Sequence, residues 1–314
     1  MFPTDEIFGF LLISEICIGA IGNSLLFLLY TYASLIRPHL NKPLDLIFIH
    51  LTLVNVLAIL FKLIPDIASS FGVKHFMGDA GCKAVLYIFR VARGLTLCTT
   101  SLLSAFQAIT ISPSNSKWAR LKTKSSTWIL PSLFFFWVIN AMVYIHVILT
   151  LEANRNFTVV GFGYSHPYCQ NKHFKTDYPE VFTTVLVTRD VLFVAPVIWT
   201  SIYMLNLLHK HRKRAQHLHS PSLSAQPSPE NKATHTILWL VSCFVFFYCS
   251  NNFVTFYLFF KHQKSPRLER IVGITSSCYP TICPFILMKN TKIISKYTSY
   301  FSKLRFTFSS RSIQ

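Results

Sequence analysis

Apolar residues along this chain run in long blocks, with charged and proline-rich breaks between them. Seven blocks reach spanning length, at 8–33, 45–70, 84–111, 127–150, 180–208, 234–260 and 270–288. About 20 residues at about 1.5 Å each carry a helix across the hydrocarbon core. The pattern therefore predicts an all-α membrane protein, a seven-transmembrane helix bundle over 1–288 followed by a tail, 289–314. In that tail, KNTKIISKYTSYFSKLRF sets Ile293, Ile294, Tyr297, Tyr300, Phe301 and Leu304 on one helical face with lysines opposite, as an interfacial helix would.

The third block departs most from the apolar pattern. It carries Arg90 and Arg93, then a middle rich in small and hydroxyl residues (Gly94, Thr96, Thr99, Thr100, Ser101, Ser104), and stops at Pro113. A guanidinium keeps its charge, and holding one at bilayer depth costs from about 2.5 to over 10 kcal/mol, so both arginines must face protein or a wet cavity. Three positions apart, they are expected to share one helix face. This helix is expected at the centre of the bundle.

Composition supports the membrane assignment. The 314 residues are 52% hydrophobic and 13% charged, and mean hydropathy is positive, too apolar for a soluble chain of this size. The net charge of +18 does not form a basic stripe interleaved with aromatics, so nucleic acid is not an expected partner. Asp5 and Glu6 stand where a cleaved signal would be basic, so the first block is expected to be a retained span. No acylation or prenylation motif is recognised, and the lipid bilayer itself is the expected partner of the apolar faces.

Lys and Arg set the topology. Arg37 and Lys42, Lys117, Arg120, Lys122 and Lys124, the run Lys210 to Arg214 with Lys232, and the tail lysines collect on one side. The other side holds Lys74, Arg155, Lys172, Lys175, Lys261, Lys264 and Arg267. The bias predicts an outside N-terminus and a cytoplasmic C-terminus. The one Asn-x-Ser/Thr sequon, at Asn156, then falls outside, where glycosylation is possible. Of the cysteines, Cys82 and Cys169 fall in the external segments, and a disulfide between them is expected, because the external compartment is oxidising.

The run RVARGLTLCTTSLLSAFQAITISP, from Arg90 to Pro113, closely resembles the third transmembrane helix of vomeronasal type-1 receptors, and the first cytoplasmic loop, RPHLNKP, also matches that family. The resemblance extends from Gly22 to Met288. It implies a G protein-coupled pheromone receptor of the plasma membrane, which binds a small pheromone-like ligand and couples to a heterotrimeric G protein of the inhibitory class. A bitter-taste-type receptor is the alternative within the class, disfavoured by RVARGL and the Cys82–Cys169 pair. A secondary transporter is the alternative outside it, and no inverted repeat supports that.

Measured against rhodopsin-like receptors at large, the chain departs in places. Phe106-Gln107-Ala108 stands where an Asp/Glu-Arg-Tyr triad would lock the inactive state, so the latch is unassigned. Asn23 in the first span and Asn55 in the second are expected to pair with each other, because an unmatched amide in hydrocarbon is costly. Pro131, Pro196, Pro280 and Pro284 fall inside spans and are expected to kink them.

Enzyme motifs are missing: no phosphate-cradling glycine loop, zinc-protease helix or catalytic triad stands out, and no cofactor is expected. The third cytoplasmic loop is expected to begin with a flexible basic half, HKHRKRAQHLH, suited to anionic lipid or a G protein. Its histidines have no Cys or acid beside them and make a poor zinc site. Glu15, Lys62, Asp66, Arg90, Arg93, Arg189 and Asp190 are ionisable groups within spans and hence functional candidates. Lys62 and Asp66, four apart, are expected to pair. Arg189 and Asp190, adjacent, are expected to face apart. Arg90 and Arg93 either bond Asp66, Glu15 or Asp190 across the bundle or offer donors to an acidic or carbonyl-bearing ligand. The expected pocket is mostly apolar, lined by Phe89, Arg90, Arg93, Thr96, Val185, Asn251 and Asn252. Gln107, Lys117, Arg120, Arg212 and Arg214 are the candidates for G protein contact.

Overall fold

The computed structural model describes residues 3–36, 43–73, 77–113, 119–122, 125–153, 169–171, 179–218, 229–260 and 266–290. These form helices α1 (Pro3–Ile36), α2 (Pro43–Ser70), α3 (Asp79–Ile111), the single turn α4 (Ala119–Lys122), α5 (Ser125–Thr150), α6 (Pro179–Leu218), α7 (Pro229–Phe260) and α8 (Pro266–Asn290). Seven of them are long and apolar enough to cross a membrane, so the seven expected spans are α1 to α3 and α5 to α8. Two short strands not expected from sequence, β1 (Leu151–Ala153) and β2 (Cys169–Asn171), pair antiparallel between α5 and α6. The tail beyond Asn290 and the sequon at Asn156 lie outside the described residues.

Proline marks where the helices begin. α1, α2, α6, α7 and α8 each open on one, because the first helical residue needs no N–H partner and the ring's φ already suits a helix. α3 closes at Ser112, whose N–H bonds Ile109 O at 3.3 Å, just before Pro113. α6 runs ten residues past the expected 208, to Leu218, which corrects the expectation of a flexible basic loop. Lys, Arg, Gln, Ala and Leu are all good helix formers, and nothing in HKHRKRAQHL breaks the helix before Ser220-Pro221.

α3 is the axis. Of its spanning stretch 72% is buried, against 22% for α1 and 11% for α6, and it packs on α2, α5, α6 and α7. At one end the β-ribbon closes over it: Cys82 in its first turn is disulfide-bonded to Cys169, Cα to Cα 5.8 Å. Asp79 accepts a hydrogen bond from the Ala153 N–H at 2.8 Å.

Without water in the bilayer core, every proline-freed carbonyl needs a new donor. Pro284 cannot donate to Pro280 O, and Asn23 Nδ2 fills that place at 2.8 Å. Asn55 Nδ2 in turn donates to Asn23 Oδ1 at 3.4 Å, the expected pair, and Thr96 Oγ1 donates to Asn55 Oδ1 at 3.3 Å. Helices α1, α2, α3 and α8 are thus joined by uncharged groups. α1 also comes close at Gly19, where a Cβ would lie 2.7 Å from Ile59 and 2.8 Å from Thr281.

A second neutral tie joins α2, α3 and α5. Trp137 Nε1 donates to His50 Nε2 at 2.9 Å, so that nitrogen carries no proton, since an indole N–H only donates. Thr99 Oγ1 donates to Leu95 O at 2.7 Å and lies 2.9 Å from His50 Nδ1. The proton therefore sits on Nδ1, and His50 is neutral. Replacing His50 with Phe leaves the Trp137 N–H without a partner in an apolar setting. The expected cost is about 1–3 kcal/mol, read as a lower unfolding temperature of the purified receptor, with a smaller loss for His50→Gln.

Candidate functional site

Between α2, α3, α7 and α8, on the disulfide side of the Asn23–Asn55 pair, lies a small cavity of about 30 Å³. Its apolar wall is Ala58, Phe89, Phe244, Phe247, Tyr279 and Pro280, and its polar wall is Arg93, Thr96, Tyr248, Asn251, Thr275 and Ser276. That volume suits a water molecule or two.

Arg93 supplies the charge. Its Nη2 donates to Asn252 Oδ1 at 2.7 Å, and its guanidinium lies over the Tyr248 ring, 5.1 Å from the centroid. The orientation of the Asn251 amide that satisfies its neighbours points Oδ1 at Arg93, 2.7 and 2.6 Å from Nη1 and Nη2, and Nδ2 at Val272 O, 3.1 Å away. Among the described residues no carboxylate forms an ion pair with Arg93. The cation is held by amide dipoles and a ring face, both weaker partners than a carboxylate.

The acid behind this arrangement is Asp190, reached through α7. Asn252 Nδ2 donates to Asp190 Oδ2 at 3.5 Å, and the Tyr248 hydroxyl donates to the same oxygen at 2.7 Å. Asp190 Oδ1 accepts from its neighbour Arg189, from Nε at 3.0 Å and Nη2 at 2.5 Å. This corrects the expectation that Arg189 and Asp190 face apart: the long arginine side chain wraps back along α6, and its fork closes on the adjacent carboxylate. Arg189 is buried against Tyr144, 5.0 Å to the centroid, and Nη1 donates to Asn140 Oδ1 at 3.3 Å. Asn140 fits there because residue 94 is glycine; a Cβ on Gly94 would collide with the Asn140 oxygen. A continuous polar chain therefore runs Asn140–Arg189–Asp190–Tyr248/Asn252–Arg93, crossing α5, α6, α7 and α3.

Lys62, Asp66 and Glu15 have partners outside this polar chain. Lys62 and Asp66 pair at 2.8 Å, as their spacing implies, with Lys62 Nζ 5.7 Å from the Phe89 ring centroid. Glu15 accepts from the Ser277 hydroxyl at 2.5 Å. Arg90 and Arg93 diverge: Arg90 lies within electrostatic reach of His146 on α5, while Arg93 turns toward α7. Three positions put about 60° between side chains, enough to send two long ones to different neighbours.

Of the expected pocket residues, Phe89, Arg93, Thr96 and Asn251 meet at the cavity. Asn252 sits behind Arg93, Arg90 points elsewhere, and the Val185 side chain lies outside the described residues. Tyr248, Asn140 and Tyr144 went unnoticed in the sequence. Tyr248 had a signal, since 248, 251 and 252 share one helix face. At the other end of α3, Gln107 Nε2 donates to Thr234 Oγ1 on α7 at 3.2 Å. Lys117 and the side chains of Arg120, Arg212 and Arg214 lie outside the described residues.

A family model described as "Vomeronasal organ pheromone receptor family" matches residues 7–300. The chain belongs to the vomeronasal type-1 receptor family. It is 34% identical over 289 residues to vomeronasal type-1 receptor 3 of Homo sapiens, covering 92% of each chain. It is 36% identical over 279 residues to vomeronasal type-1 receptor 2 of Homo sapiens, covering 87% of this chain and 69% of that one. Its identity to vomeronasal type-1 receptor 90 of Rattus norvegicus is 35% over 289 residues, with 90% and 91% covered. Vomeronasal type-1 receptors are G protein-coupled receptors and not enzymes, and this member is a multi-pass plasma-membrane protein. The family match sets aside the bitter-taste and transporter alternatives.

Proposed function

We propose that this receptor binds a small, largely apolar pheromone-like ligand at the cavity between α2, α3, α7 and α8, and that binding activates a heterotrimeric G protein of the inhibitory class. The observation that carries this reading is the cation in the wall: Arg93 faces an otherwise mostly apolar cavity and is held by amides and a ring rather than by an acid. Such a group can anchor a polar or acidic atom of a ligand whose body rests on Phe89, Phe244 and Phe247. Ligand pockets usually hold about 300–1,000 Å³, far more than the cavity here. Binding therefore has to select a state in which these aromatic side chains have moved apart, and that differential affinity is what shifts the bundle. Arg93→Gln at unchanged surface level is expected to abolish the response of expressing cells to volatile or steroid-like pheromone fractions. An unaltered response would reduce Arg93 to a scaffold residue.

The same reading places the β-ribbon and disulfide outside the cell and Gln107 at the cytoplasmic face, and keeps Lys117, Arg120, Arg212 and Arg214 as candidates for G protein contact on the charge of their sequence segments alone. Support comes from the Lys/Arg bias of the loops and from the sequon at Asn156. Amide-linked glycan removal should sharpen and lower the receptor band on a blot. Asn156→Gln should remove that shift, and a wild-type band indifferent to the glycosidase counts against glycosylation there.

A further inference from the structure

Ligand entry requires the cavity to grow, and its walls are not equally fixed. Phe244 belongs to the main core, stacks on Tyr248 with centroids 5.1 Å apart and meets Tyr279 edge-on at 4.9 Å. Phe247 packs against the same core. Phe89 is also buried, yet it joins none of the apolar clusters that the described residues form. Its ring rests beside a cation, with Lys62 Nζ 5.7 Å from the centroid. Phe89 is therefore the ring that can swing aside with those clusters intact.

Behind Phe89 stands an ion pair. Lys62 and Asp66 meet at 2.8 Å, with side chains 4% and 11% exposed. A buried pair adds little stability over apolar residues of similar size, so one in this place calls for a use. Its position supplies the use. Ala58 on α2, Arg93 on α3 and Ser276 on α8 line the cavity, and the next turn of each helix toward the disulfide carries Lys62, Phe89 and Gly273. At Gly273 a Cβ would fit, 3.5 Å from Phe8 and 3.9 Å from Asp66 Oδ2, so α8 leaves a methyl-sized space beside the carboxylate. With Phe89 turned aside, the cavity runs into the Lys62–Asp66 layer.

We propose that the Lys62–Asp66 pair is a second polar subsite of the ligand pocket, reached when Phe89 swings aside, and that it takes a hydroxyl group. An ion pair offers a donor and an acceptor side by side. A hydroxyl uses both, accepting from the Lys62 ammonium and donating to the Asp66 carboxylate, whereas Arg93 offers donors alone and takes a carbonyl or carboxylate oxygen. The preferred ligand therefore has an apolar body with an acceptor oxygen at one end and a hydroxyl at the other. Their separation is on the order of 10 Å, one helical pitch from Arg93 to Phe89 plus the reach from Phe89 to Lys62. The inference rests on the reading above that Arg93 and its cavity bind the ligand.

A bicyclohexyl with a ketone at one end and a hydroxyl at the other holds this spacing in a rigid frame, and the same ketone without its hydroxyl is the control. Each is titrated against purified receptor in nanodiscs, without G protein, and its affinity is read from the rise of unfolding temperature with concentration. The hydroxyketone should bind about tenfold tighter than the ketone, the weight of a hydrogen bond to a charged group. In Lys62→Met with Asp66→Leu, an apolar replacement of the whole pair of the kind that folded proteins commonly tolerate, that ratio should fall to about one. Phe89→Ala should tighten the hydroxyketone further, because no share of the receptor then has its subsite closed. Equal affinities in wild type, or a preference that survives the double substitution, overturn the subsite, as does failure of both compounds to stabilise even Phe89→Ala. Arg93→Gln should weaken both compounds alike. Ketone binding that depends on Arg93 but shows no hydroxyl preference leaves the cavity reading standing and removes the subsite; binding of both compounds unaltered by Arg93→Gln overturns the cavity reading and the subsite with it.

Discussion

A guanidinium that cannot shed its charge, placed at bilayer depth, governs the arrangement of this half of the bundle. Arg93 needs donors matched to acceptors and a counter-charge within reach. The chain meets the first need with Asn251, Asn252 and the Tyr248 face, and the second only at one remove, through Asp190. Because Asp190 also holds Arg189, and Arg189 holds Asn140, four helices are fixed relative to one another by one satisfied network. Such a network is worth having only when complete, since removing one member leaves a charge or amide stranded in a low-dielectric setting.

Elsewhere the glue is uncharged. Asn23 replaces the donor that Pro284 removes, Asn55 and Thr96 extend that tie, and His50 joins Trp137 to Thr99 as a neutral imidazole. Between helices in lipid, apolar surface gains little by association, so close packing at small residues such as Gly19 and hydrogen bonds of this kind carry the contacts. The two ends of α3 then differ in kind. A disulfide, a β-ribbon and a charged network secure the first; at the second, the described residues include the neutral pairs Gln107–Thr234 and Ser112–Tyr203 and a small apolar cluster.

Much of this was legible in the sequence. Spanning length gave the seven helices, cysteine placement gave Cys82–Cys169, the spacing of four gave Lys62–Asp66, and two lone amides gave Asn23–Asn55. What was not legible depended on side-chain length and direction. Arg189 folds back on its own neighbour, which no periodicity argument foresees, and Arg90 and Arg93 part company despite sharing a face. The role of Asn140 was hidden because it depends on the missing Cβ of Gly94 on another helix. Helix ends were misjudged where polar but helix-forming residues continue past the hydrocarbon, as α6 does to Leu218. The site was therefore half visible: its cation and asparagines stood out, whereas the tyrosine and aspartate that connect them did not.

Arg93 and Asp190, on different helices and not in direct contact, are energetically one unit. A double-mutant cycle on unfolding of the purified receptor, with Arg93→Gln, Asp190→Asn and the pair, tests this most directly. The account predicts a coupling of about 1 kcal/mol or more, with the second substitution costing much less once the first is made. Costs that add to within about 0.5 kcal/mol would contradict it, and would reduce the polar chain to two independent contacts.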